Sequence, residues 1–247
     1  MYNWGLTDIM VFLGIGQGIF LAITLQFIKN KNTEANRILS VVLFIVTLML
    51  LGRMFYYRYG TSAFFARLAV FVDVVILLFG PLSYQYVRTL VFPSSKFKIS
   101  IFHFIPAFLH LSFVLWTYTK PLSVLEEMTH AGFIGYIYFA TETVGLLSNL
   151  IYLALSFRVL QKFDKDVAHN ISYLPTIATF LTLYLIGISL FIVAWLCSYI
   201  NIYFLRLRFY GVDYNLIWVV IPLFIYVVGF YSLVHPCLLY TSDAADD

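Results

Sequence analysis

Two carboxylates stand inside long apolar stretches of this chain. Asp73 lies between Phe64 and Phe92, and Glu142 between Gly132 and Leu160. An acid in such a helix costs several kcal/mol in a bilayer, so it is expected to face other protein and to have a partner. Gln17 and Asn149 are the other strongly polar residues singled out within apolar runs, with Thr141, Thr143, Ser148 and the tyrosines as possible companions. Glu142 and Asn149 are seven residues apart, about two helical turns, and so share a face. The expected polar interior is therefore Gln17, Asp73, Glu142 and Asn149. Two readings stay open: a site for a polar ligand or a proton, and a set of structural hydrogen bonds.

Other chemistry has less to stand on. His103 and His110 are also seven apart on one helix face, but no HxxxH, HExxH or cysteine pair supplies further metal ligands. No metal and no other cofactor is expected. There is no GxSxG elbow, no Walker loop and no GxGxxG between a strand and a helix. The last helix has no lysine for a retinal Schiff base, and Glu126-Glu127 lacks the companions of an intramembrane metalloprotease. The chain reads as a non-enzyme.

The elements that must position these residues are membrane helices. Of 247 residues, 62% are hydrophobic and only 11% charged, which excludes an ordinary soluble domain. Apolar runs of roughly 18 residues or more recur, each enough to cross about 30 Å of hydrocarbon. The fold class is all-α, a polytopic bundle of seven transmembrane helices. They are expected at about Thr7 to Ile28, Ile38 to Tyr57, Phe64 to Phe92, Ile101 to Tyr118, Gly132 to Leu160, Leu174 to Phe204 and Leu216 to Val234. Thr33 or Asn36 is the expected cap of the second helix. Thr119 to His130 is expected as a short interfacial segment, and the charged stretch Gln161 to Asn170 lies outside the hydrocarbon.

Within this frame the first helix carries Gly14 and Gly18, a small-xxx-small pair that lets a neighbour approach closely, with Gln17 beside it needing a hydrogen-bond partner. The third carries Gly80-Pro81. Proline removes one helical N–H and crowds the carbonyl of Leu77, so a kink is expected near Gly80, and these two residues are the candidate hinge. Tyr84 and Arg88 share a face at i, i+4 and mark the interface at the end of that helix.

Lys and Arg counting gives the orientation. The loops after helices one, three and five hold nine (Lys29, Lys31, Arg37, Arg88, Lys96, Lys98, Arg158, Lys162, Lys165), and those after helices two, four and six hold six (Arg53, Arg58, Arg67, Lys120, Arg206, Arg208). The excess places the N-terminus outside and the C-terminus in the cytoplasm. Residues 237–247, Cys237 to Asp247, look like translated sequencing adapter and are set apart from the transmembrane unit, residues 1–236. Without Asp243, Asp246 and Asp247 the formal charge rises from +3 to +6, and Cys197 is the single remaining cysteine.

Several fragments in order carry a resemblance. They are Leu13-Gly14-Ile15-Gly16-Gln17-Gly18 with Leu21-Ala22, Asn32 with Ala35-Asn36-Arg37 and Leu39, and Asp73 followed by Gly80-Pro81-Leu82-Ser83-Tyr84-Gln85-Tyr86-Val87-Arg88. His103-Phe104-Ile105-Pro106, the Tyr152-to-Ser156 stretch and Gly229-Phe230-Tyr231 leading to Pro236 complete the set. Together they resemble the seven-helix membrane domain of bacterial membrane-bound AraC/XylS-type transcription regulators. The resemblance implies a sensory domain in the inner membrane, relaying a small-molecule or membrane-borne stimulus to a cytoplasmic helix-turn-helix output after the last helix. The partners it implies are the lipid bilayer, a second copy in a homodimer, and DNA only through that output domain, for which residues 1–247 hold no motif. A small proton-linked transporter and the receptor half of a sensor histidine kinase are the alternatives.

Overall fold

A computed structural model describes residues 5–28, 32–59, 63–92, 97–167, 174–205 and 214–234. Among these the chain is helical, with no strand. The helices are α1 (Leu6–Phe27), α2 (Thr33–Tyr59), α3 (Ala63–Val72), α4 (Ile76–Val91), α5 (Ile105–Tyr118), α6 (Leu122–His130), α7 (Phe133–Val167), α8 (Leu174–Ile200) and α9 (Ile217–Val234). Six spans are long and apolar enough to cross a membrane: Leu6–Phe27, Thr33–Tyr56, Val70–Val91, Ile101–Tyr118, Phe133–Phe163 and Ile177–Leu205. A seventh apolar helix, Ile217–Tyr231, is shorter. This is the architecture of a multi-pass membrane protein.

Six helices close a ring in the order α1, α2, α4, α7, α8, α9, with α9 returning to α1. Its core is made of Leu43 and Leu50 on α2, Val87 on α4, Leu181 and Leu185 on α8 and Ile225 on α9, all fully buried. α5 packs against the outside through Ala107 and Val114, and most of its other apolar side chains, such as Leu109 and Leu115, are exposed. An apolar surface of this kind suits contact with lipid tails, where burial of hydrocarbon against protein supplies little driving force and close packing supplies more.

Close packing is what the glycines provide. A Cβ at Gly14 would meet Pro222 of α9 at 2.9 Å and Leu50 of α2 at 3.1 Å. One at Gly18 would collide with Thr47 of α2, whereas Gly16 between them has nothing within 4 Å. The pair at i, i+4 therefore seats α1 against two neighbours at once. Gly80 does the same for α4: its missing Cβ would lie 3.1 Å from Asn149 Oδ1 and 3.1 Å from Tyr152 on α7. Gly132 has a different task. Its φ of +79° turns the chain from α6 into α7 in the left-handed region open to glycine.

Several boundaries differ from expectation. The third crossing is not one unbroken α-helix. α4 runs through Pro81, and a 3-10 turn at Asp73–Val75, one to two turns before Gly80, separates it from α3. α2 begins at Thr33, with Asn36 N–H bonded to the Asn32 carbonyl, so Asn36 is buried inside the helix and is not its cap. α7 continues to Val167, through much of the charged stretch expected as loop, because nothing in Gln161 to Asp166 breaks a helix. Within Thr119 to His130, Leu122–His130 forms the short helix α6. The expected tail, residues 237–247, lies outside the described residues, as do His235 and Pro236.

Gly80→Ala is expected to lower the melting temperature of the purified protein in detergent, because α4 and α7 must part by a few tenths of an ångström; the overpacking cost is about 1–3 kcal/mol. Gly16→Ala, facing open space, is expected to leave it unchanged or raised. Thermal unfolding of the two variants side by side checks this.

Candidate functional site

Glu142 is the centre of a polar cluster at one end of the ring. Tyr214, in the turn before α9, donates its hydroxyl to Glu142 Oε2 at 2.6 Å, and Tyr203 donates to Oε1 at 3.3 Å. The Trp195 side chain of α8 also lies beside this carboxylate. Tyr203 reaches it because α8 ends in a π-helical turn, Asn201–Leu205; such turns shift the side chains that follow and are frequent at functional positions. Burial first, and then the Glu142 charge, push the Tyr214 phenol well above its ordinary value, so it remains a donor.

Asp73 completes the cluster from the third crossing. It is exposed on the surface of the bundle, and its carboxylate lies within electrostatic range of Glu142, Tyr138 and Tyr214. It therefore lies outside the packed core, at the first residue of the 3-10 turn Asp73–Val75. Aromatic rings pack beside Glu142. Phe139 stacks on Tyr199 with centroids 5.8 Å apart, and Tyr203 lies 5.0 Å from both. Thr143 ties α7 to α8 through Tyr199, with 2.6 Å between their hydroxyl oxygens.

Cations sit beside this cluster, held by other groups. Arg53 Nη2 donates to Asn215 Oδ1 at 2.9 Å and the guanidinium lies 5.1 Å from the Trp218 ring. Arg67 donates to the Lys120 and Tyr118 carbonyls at 2.7 and 3.3 Å. The ends of α2, α5 and α8 and the starts of α3, α7 and α9 are thus gathered at the same end of the bundle. At the other end Arg88 donates to Tyr84 at 3.2 Å and covers the Phe97 ring at 3.8 Å.

The four residues expected to form one polar interior are divided among three places. Asp73 and Glu142 come within electrostatic range of one another. Asn149 lies about two turns further along α7, where its amide donates to Gly145 O at 2.8 Å and reaches Ile76 O at 3.5 Å beside Gly80. Gln17 lies against Gly229 of α9, well removed in sequence and packing from the others. His103 bonds through Nδ1 to the Tyr152 hydroxyl, and His110 Nδ1 lies 3.2 Å from Thr141 Oγ1. The sequence reading missed Tyr138, Trp195, Tyr203 and Tyr214. With 19 tyrosines in the chain, nothing local distinguishes these. The usable signal is depth: Glu142 is less than three turns into its helix, and Tyr203 and Tyr214 flank the matching end of the next crossings.

Comparison with protein-family models, curated proteins and solved structures gives no match.

Replacing Glu142 by Leu strands the Tyr203 and Tyr214 hydroxyls, a loss of about 1–3 kcal/mol for donors left unpaired. Glu142→Gln keeps an oxygen acceptor and is expected to lose less. Melting curves followed by tryptophan fluorescence, with Trp195 and Trp218 near the cluster, are expected to rank wild type above Gln above Leu. Equal melting temperatures for Gln and Leu would remove the tyrosines from the account.

Proposed function

We propose that this chain is the membrane sensory domain of a one-component transcription regulator of the AraC/XylS-like kind suggested by its motifs. In this reading all seven apolar helices cross a bacterial inner membrane, with the N-terminus outside and the end of α9 in the cytoplasm. A DNA-binding output follows that end. The observation that carries the reading is the polar cluster in which Asp73 and Glu142 come within electrostatic range of one another. Its polar groups come from the α3–α4 junction, α7, the π-turn after α8 and the turn before α9. A polar or cationic stimulus entering there touches four separate segments and so has differential contacts with two arrangements of them, which is what a ligand needs in order to shift a conformational equilibrium. α4 and α9 leave that end and run to the opposite one, where the orientation by Lys and Arg places the cytoplasm.

The two carboxylates also favour a second reading, a small proton-linked transporter. Substrate-dependent proton flux in proteoliposomes separates the two.

The test of the first reading has two parts. Sequencing the same locus through and beyond Pro236 is expected to reveal about one hundred further residues containing helix-turn-helix units. In the intact protein, Glu142→Gln and Asp73→Asn are expected to change reporter output or its response to stimulus by severalfold at equal membrane expression. A stop codon directly after Pro236, or unchanged output and response in both variants, would overturn it.

A further inference from the structure

Away from the Glu142 cluster, where α4, α7 and α8 meet, there is a small cavity of about 10 Å³. It is lined by Gly80, Ser83, Asn149 and Ser156 together with apolar side chains. Asn149 is only 2% exposed, and its amide nitrogen is engaged with the Gly145 and Ile76 carbonyls. Those two acceptors fix which way the amide faces, since turning it over would set oxygen against oxygen. Asn149 Oδ1 is thereby directed at Gly80, 3.1 Å from the place of the missing Cβ, and has no hydrogen-bond donor. A buried carbonyl oxygen in that state is costly unless something donates to it.

The neighbouring hydroxyls have complementary vacancies. Ser83 accepts from the Tyr184 hydroxyl at 3.2 Å, which leaves its own proton to donate. Ser156 donates to the Tyr152 carbonyl at 2.8 Å, which leaves its oxygen to accept. A volume near 10 Å³ is about that of one water, and a buried water makes roughly three hydrogen bonds.

We infer that this cavity is a binding site for a single structural water, which donates to Asn149 Oδ1 and Ser156 Oγ and accepts from the Ser83 hydroxyl. The water joins α4 to α7 beside Gly80-Pro81, and through Ser83 and Tyr184 it reaches α8. Any rearrangement about Pro81 must then break or carry this bridge, so the site ties the position of α4 to two neighbours at once. The site is independent of the sensory reading and stands if that reading fails.

An experimental structure of the protein in lipid nanodiscs, at a resolution that reveals ordered solvent, tests it directly. The expected result is a solvent peak about 2.7–3.2 Å from Asn149 Oδ1 and from a serine hydroxyl. An empty cavity, with Oδ1 resting on the Gly80 Cα alone, overturns the inference. A double-mutant cycle gives a second measurement. Ser83→Ala and Ser156→Ala lie on different helices, and each removes one partner of the water. If the water bridges them, the melting-temperature loss of the double variant falls short of the sum of the single losses. A strictly additive loss contradicts a shared water.

Discussion

A polar group inside a bilayer has no bulk water to return to, and the structure depends on that constraint. It makes every crossing helical, since only a helix satisfies its backbone within one segment. It also decides where helices must come close. Asn149 can use the Ile76 carbonyl of α4 only because Gly80 has no side chain to hold the helices apart. Pro81, one residue on, cannot donate an N–H to the carbonyl of Leu77, so backbone hydrogen bonding is weakened on this same stretch. Glycine, proline and asparagine here form one arrangement: the residue that disturbs the helix, the residue that lets a neighbour approach, and the neighbour's amide.

The same constraint explains the Glu142 cluster. A carboxylate needs several donors when water is scarce, and one helix cannot supply them to its own side chain at this geometry. Tyr203 and Tyr214 come from segments on either side of a chain reversal and converge on the two oxygens of one group. The acid thus fastens the end of α8 and the start of α9 to α7. An ordinary hydrophobic contact among these helices would be less selective, because lipid tails compete for apolar surface on nearly equal terms.

The extent to which the sequence discloses this follows from the range of each interaction. Apolar runs report helices because burial in lipid acts on every residue of a span; hence the helical bundle and the neighbourhoods of its boundaries are legible. Gly14 and Gly18 are legible as a close-packing pair, because their spacing is set by one helix alone. Partners are not. Nothing within residues 133–167 says that Glu142 meets Tyr203 and Tyr214 or that Asn149 meets Gly80, since those pairings exist only after the ring has closed. Gln17 shows the error that results: four polar residues in three apolar runs suggest a single interior, and the structure disperses them. The 3-10 turn at Asp73 was hidden for a related reason. The proline draws attention to its own position, while the change in winding is displaced toward the N-terminus, where the sequence Asp73-Val74-Val75 carries no breaker.

That displacement has consequences for how the two polar regions communicate. Asp73 lies in the 3-10 turn just before α4, and Asn149 grips α4 at Ile76 and Gly80, so about one turn separates Asp73 from the α4–α7 contact. Glu142 and Asn149 are in turn joined by two turns of α7. A rotation of α4 that carries the adjoining Asp73 with it therefore also shears Gly80 past Asn149. A close-packed glycine contact tolerates such shear poorly, because packed interfaces have a few discrete arrangements and do not deform smoothly. Such a motion links the Asp73–Glu142 region to the middle of the bundle through two helices and one glycine contact, with no longer chain of residues required.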